Sequence, residues 1–243
     1  MTPRYADTHH SSRQKASVTT PSNAGRIVGG AVLVQMAGGF LVNFVLEAPL
    51  FGSPGFLVAA SSHAGQIALA AVLGLALGAL TVGIAVTIYL YARSHAPALS
   101  LWLLIFAAAC LSAAVSEQIS VMSMVSVSEG FAKAPATELG GFQNLRILAA
   151  ATRNWSHFIG LSIAGLTILV QYATLYRGAL VPRALAAFGM AAALLQVIAV
   201  LMPLFGHDIV FLLLSPLGVS QLVLALWLIV RGFSDPMEPG EPK

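Results

Sequence analysis

Six long apolar runs separated by polar turns dominate the chain, at about residues 27–47, 63–91, 99–125, 155–176, 184–205 and 209–230. A helix needs about 20 apolar residues to cross the bilayer core, and every run is long enough. The pattern predicts an all-α polytopic membrane protein with six transmembrane helices spread over 26–231. The flanks at 1–25 and 232–243 are polar or proline-bearing and are expected to be disordered tails. One connection is long, 126–154, with Pro135 and Gly140-Gly141. It is expected to be an outer loop whose mildly amphipathic stretch, 142–152, forms an interfacial helix. Pro216 is expected to kink the sixth span.

Composition narrows the class without touching the chemistry. Of 243 residues, 58% are hydrophobic and 9% charged, and the mean hydropathy is +0.86, which excludes a soluble globular domain. The single cysteine, Cys110, leaves no intramolecular disulfide and no cysteine-rich metal site. Helix packing alone must hold the fold, and small residues suited to close contact are present at Gly29-Gly30, Gly38-Gly39, Gly74, Gly78, Gly160 and Gly165.

Charge position supplies the orientation. Six spans put both ends on one side, and Arg4, Arg13, Lys15, Arg26, Arg93, Arg177, Arg183, Arg231 and Lys243 all fall on it, against Lys133, Arg146 and Arg153 on the other. The positive-inside rule therefore predicts cytoplasmic amino and carboxyl termini in the inner (plasma) membrane. The excess basic charge is explained by topology, so no nucleic acid is expected as a partner. The lipid bilayer is the partner the composition requires, with a lipid or hydrophobic small molecule as a further candidate. Oligomeric state is left open.

An ionisable residue inside a span costs about 2.5–3.5 kcal/mol on insertion scales, which makes it a functional candidate by default. Glu117 is the one deep carboxylate, in the outer part of the third span, with Gln118 beside it. Other polar groups gather at the same level. Glu47 ends the first span, with Gln35 and Asn43 upstream on a polar stripe; His63 and Gln66 open the second; Arg153 and His157 open the fourth; His207-Asp208 makes the last outer turn. Glu117 reads either as a polar group paired with Arg153 or as a proton-handling or ligand-binding acid. His63 and His157 read either as rings reaching interfacial water or as metal ligands. H-E-x-x-H, Cys-x-x-Cys, G-x-S-x-G and Walker motifs are all missing from the sequence.

Several features, taken in order, carry a resemblance. These are Arg26-Ile-Val-Gly29 at the first span, Glu117 in the third, and His157 followed by Gly160 and Gly165 in the fourth. To them are added the turn Leu180-Val-Pro182-Arg183-Ala-Leu185 and the ending Leu224-Ala-Leu226-Trp227-Leu-Ile-Val-Arg231-Gly232-Phe233. The chain resembles an uncharacterised bacterial membrane family, domain of unknown function 4386, over about residues 26–234. The resemblance implies six helices and no settled activity, and it implies that Glu117 and His157 look like the positions where members carry an acid and a histidine. A longer polar amino-terminal tail and a more charged outer loop depart from the pattern.

Three readings of function follow. The first is a ligand-binding or sensing bundle with an extracytoplasmic polar pocket bounded by Glu47, His63, Glu117 and His157; few polar groups are available for multistep chemistry, which favours it over an enzyme. The second is a small proton-coupled carrier or exporter in which Glu117 alternates between protonated and substrate-bound forms. The third is a membrane redox or metal-dependent enzyme using His63 and His157 to clamp a haem or hold a divalent metal.

Overall fold

The computed structural model describes residues 20–234, and every regular element among them is helical. Eight α-helices follow one another: α1 Pro21–Phe40, α2 Ala48–Phe51, α3 Phe56–Ala59, α4 Ala64–Ala92, α5 Pro97–Lys133, α6 Leu139–Arg177, α7 Arg183–Leu201 and α8 Ser215–Arg231. Six of them, α1 and α4 to α8 with their short extensions, are long and apolar enough to cross a membrane. α1 begins inside the stretch expected to be a tail, because the Thr20 hydroxyl accepts from the Asn23 N–H at 3.4 Å and Pro21 occupies the first turn. The rest of the expected tails, 1–19 and 235–243, lies outside the described residues. Beyond α8, Phe233 is buried against Tyr91 and the Ser234 N–H donates to the Leu180 carbonyl, so the chain stays docked to residue 234.

Consecutive spans pack side by side, α1 on α4, α4 on α5, α5 on α6, α6 on α7 and α7 on α8, and α8 returns to α1. The six helices thus close a ring. One end of the ring carries residues 21–25, 93–96, 178–182 and 232–234, called here the terminal end; the other, the far end, carries 47–63, 134–138 and 206–210. The outer wall exposes Leu69, Val72, Leu101, Ile105, Ile198 and Val230, an apolar belt suited to lipid. Close approach between walls is set by small residues. Gly29 lies on the α8 backbone at Ala225, Gly189 lies under the Tyr172 ring, Gly78 faces Leu111 and Ala114, and Gly165 faces Val197. Gly30 and Gly39, read from the sequence as contact residues, face open space.

Two expectations are corrected here. The connection at 126–154 is mostly helical: α5 continues to Lys133 and α6 starts at Leu139, which leaves only 134–138 as a turn, and the stretch at 142–152 lies within α6 itself rather than in a separate interfacial helix. The reason lies in the serines. Hydropathy falls along the outer half of α5, but Ser120, Ser123 and Ser126 donate to carbonyls four residues back, so polarity is absorbed without leaving the helix. At 37 and 39 residues these helices are about 55–60 Å long, well beyond a 30 Å core. Their far ends form a hairpin against α2 and α3, with Leu50, Phe56, Val121, Met124 and Val125 buried between them. The second correction concerns Pro216, which sits in the first turn of α8, where a missing N–H disrupts no helical bond.

Candidate functional site

α1 does not end as an α-helix. Residues Leu41–Leu46 form a π-helix, and the Glu47 N–H closes it by donating to the Val42 carbonyl. This wider turn changes the angular position of Glu47 relative to the rest of α1. The carbonyls of Val45 and Leu46 are met by the Gln66 side-chain amide from α4, each at 3.1 Å, which settles the backbone groups a helix end leaves open. Asn43 spends its amide on the Gly39 carbonyl, and Gln35 turns away to Thr81 at 2.6 Å. Of the polar stripe on the first span, only Glu47 enters the far-end site.

There it meets α5 and α6. Arg153 and His157 are four residues apart on α6, hence on one face. Arg153 Nη2 lies 2.7 Å from Glu47 Oε2 and 3.6 Å from Glu117 Oε1, and His157 Nδ1 lies 2.7 Å from the same Glu117 oxygen. Glu47, Arg153, Glu117 and His157 form one chain of contacts from the first span to the fourth, by way of the third. Glu117 stands 20 residues from the start of α5 and His157 20 residues from the end of α6. Both are therefore about 30 Å from the terminal end of their helices, at the far boundary of a bilayer core.

The chain grows wetter along its length. The Glu47 side chain is 1% exposed and that of Arg153 7%, whereas Glu117 is 17% and His157 23% exposed. The guanidinium also stacks on Phe51, with Cζ 4.4 Å from the ring centre. Its Nε is buried without a hydrogen-bond partner among the described residues. Ser120 and Ser156 are 3.2 Å apart beside the cluster and tie α5 to α6. Two carboxylates and one guanidinium leave a formal charge of −1 when His157 is neutral and 0 when it is protonated. The hydrogen bond between His157 and Glu117 can be carried by a proton on either group.

Two of the six candidates do not join. The His63 Nδ1 lies 2.9 Å from the Ala59 carbonyl and 3.1 Å from the Ser62 hydroxyl, at the exposed start of α4. Gln118, one residue on from Glu117, is rotated onto α4 and packs on Gly74. Of the four residues expected to bound a pocket, Glu47, Glu117 and His157 are joined through Arg153 and one another, and His63 stands apart. Among the described residues, no three His, Cys, Asp or Glu side chains gather as a set that could hold a metal ion. His207 and Asp208 are exposed in their turn.

A set of polar residues that the sequence did not group as a site lies nearer the middle of the ring. A cavity of about 230 Å³ is lined by Gln35 of α1, Thr81 of α4, Cys110 of α5, Thr167 and Gln171 of α6, and Gln221 of α8. Cys110 is seven residues before Glu117, and Gln171 fourteen after His157. At 3.6 residues per turn, such spacings return to nearly the same face. The cavity therefore sits about two turns, or 10 Å, along the same α5 face from Glu117. This repeat of seven was the available signal in the sequence, and Gln171 and Gln221 carry no charge to mark them.

The family described as Domain of unknown function (DUF4386) matches residues 27–232. The chain belongs to this family. No curated protein and no solved structure matches it. The DUF4386 match takes in nearly the whole of the six spanning helices, so the cluster and the cavity both lie inside the family's domain.

Proposed function

We propose that this DUF4386 protein is a proton-responsive binding or sensing bundle, with Glu117 and His157 taking up the proton at the extracytoplasmic side of the plasma membrane. The orientation rests on the nine-to-three split of basic residues between the two ends. The observation that carries the reading is the shared guanidinium: Arg153 contacts Glu47 and Glu117 at once, and Glu117 also holds His157. A protonated cluster is charge-balanced and draws the third and fourth spans toward the end of the first. A deprotonated cluster has one negative charge in excess in a low-dielectric setting, where such imbalance is costly, and it loosens to admit water. The closed form is accordingly favoured at lower pH and relaxes as pH rises. The groups facing Glu117 are Arg153 and His157 of α6, with Glu47 beyond the guanidinium.

The experiment uses the cavity cysteine. In liposomes, the modification rate of Cys110 by a small charged thiol reagent is followed against pH, normalised to the denatured protein to remove intrinsic thiol chemistry. The parent rate rises with pH. The double variant Glu117→Gln, His157→Gln leaves Glu47 and Arg153 as a balanced pair without either of the groups that take up the proton, so its normalised profile is flat; an unchanged profile sinks the proposal.

The stacking of an interior cavity about 10 Å from the cluster along α5 favours a second reading, a small proton-coupled carrier. Liposomes containing the protein would then take up protons with the carried solute, and Glu117→Gln would abolish that uptake.

A further inference from the structure

The amides at mid-depth make a site of their own. Gln171 lies 6 residues from the terminal end of α6, Gln221 10 residues from that of α8, Thr81 11 from that of α4, Cys110 13 from that of α5 and Gln35 14 from that of α1. At 1.5 Å per residue these levels span about 9–21 Å into the bilayer, which straddles the midplane of a 30 Å core. No charged side chain lines the cavity. Gln171 is 7% exposed, and its Nε2 is buried with no hydrogen-bond partner among the described residues. A buried donor left unpaired costs the full loss of its hydration, which a native site avoids by holding a partner there.

A second cavity, of about 260 Å³, shares Met36 and Gln221 with the first and is otherwise walled mainly by Leu161, Val200, Leu214 and Leu217. Its one further polar group, Gln196, keeps a buried Oε1 without a partner. A hydrogen-bonding chamber thus adjoins an apolar one. An anion or cation would enter without a counter-charge, at a cost the amides do not meet. A fully apolar molecule would leave the Gln171 donor unpaired.

We infer that the paired cavities bind a neutral single-chain amphiphile, with a carbonyl- or hydroxyl-bearing head among Gln35, Gln171 and Gln221 and its apolar chain along the leucine-lined chamber. Two sources share this chemistry, a monoacylglycerol and an alkyl quinone. The site stands independently of the proton-responsive cluster, since no ionisable residue of that cluster lines either cavity.

Cys110 reports occupancy, because a bound head covers it. The full chain is placed in phosphatidylcholine nanodiscs, and alkylation of Cys110 by a membrane-permeant maleimide is timed at fixed pH with added monoolein, decyl-benzoquinone, oleate or lysophosphatidylcholine. The permeant reagent reaches the cavity through lipid, so the state of the far-end cluster does not govern the result. Saturable slowing by monoolein or by decyl-benzoquinone is expected, and which of the two protects identifies the source. The charged probes give no protection at the same concentration. Gln171→Leu weakens protection by about tenfold, the scale of one hydrogen bond in a dry site, while thermal stability is kept or raised because an unpaired donor is removed. Gln221→Leu provides an independent second variant. Equal protection by oleate, no protection by either neutral probe, or undiminished protection in both glutamine variants would overturn the assignment.

Discussion

Arg153→Ala is the most revealing perturbation of the far-end cluster. It removes the one permanently charged cation and leaves Glu47, 1% exposed, without its ion-pair partner. Deleting one partner of a buried ion pair costs about 3–5 kcal/mol. Because 1.36 kcal/mol is a factor of ten, this corresponds to about 150- to 5,000-fold in an equilibrium between closed and water-filled forms, if Glu47 is fully rehydrated in the second. Partial rehydration lowers the gain, so the expected rise in Cys110 modification from the far side lies between about tenfold and a thousandfold. The comparison that isolates the pair is Glu47→Met combined with Arg153→Met. Replacing both charges by apolar groups of similar reach is often neutral or stabilising, and the double variant should label near the parent rate. The reasoning is refuted by a correctly folded Arg153→Ala protein that labels no faster than the parent, or by a double variant that labels as fast as the single.

Other outcomes follow from packing and topology. Gly189→Val drives a side chain into the fully buried Tyr172 ring and should lower thermal stability by about 1–3 kcal/mol in a denaturation series, whereas Gly160→Ala, with its nearest neighbour 3.8 Å away, should leave the melting curve unchanged. Gln66→Leu strips the partner from the Val45 and Leu46 carbonyls and should cost about 1–3 kcal/mol, read in the same series. In a Cys110→Ala background, Lys133→Cys and His207→Cys should react with an impermeant thiol reagent applied outside the cell, and His95→Cys should not; the reverse pattern would invert the assigned orientation.

The spans were legible because lipid forces a crude rule on the chain, long apolar stretches and little else. Their ends were less so. Hydropathy reports where the bilayer stops, and α5 and α6 run on past that point because serines such as Ser123 bond their own helix. Glu117 and His157 could be named from depth alone, but their meeting depends on helix order, which hydropathy does not encode. Arg153 was read as a possible partner of Glu117, and its closer contact proved to be Glu47. That pairing depends on a π-helical turn at Leu41–Leu46 that leaves no mark in the apolar pattern. Gln118 shows the limit of adjacency: one residue from Glu117, it is turned about 100° around the helix and serves α4.

Because the ring is closed by the contact of α8 with α1, its seam joins the two of the six spans that lie farthest apart along the chain. Gly25 and Gly29, which lie against Phe233 and Ala225, have no such packing partner until α8 and the residues just after it have been made. The ring of the other five spans therefore has an unfilled slot until α8 arrives. The contacts of α8 with α7 and with α1 are thus the last of the ring that can form.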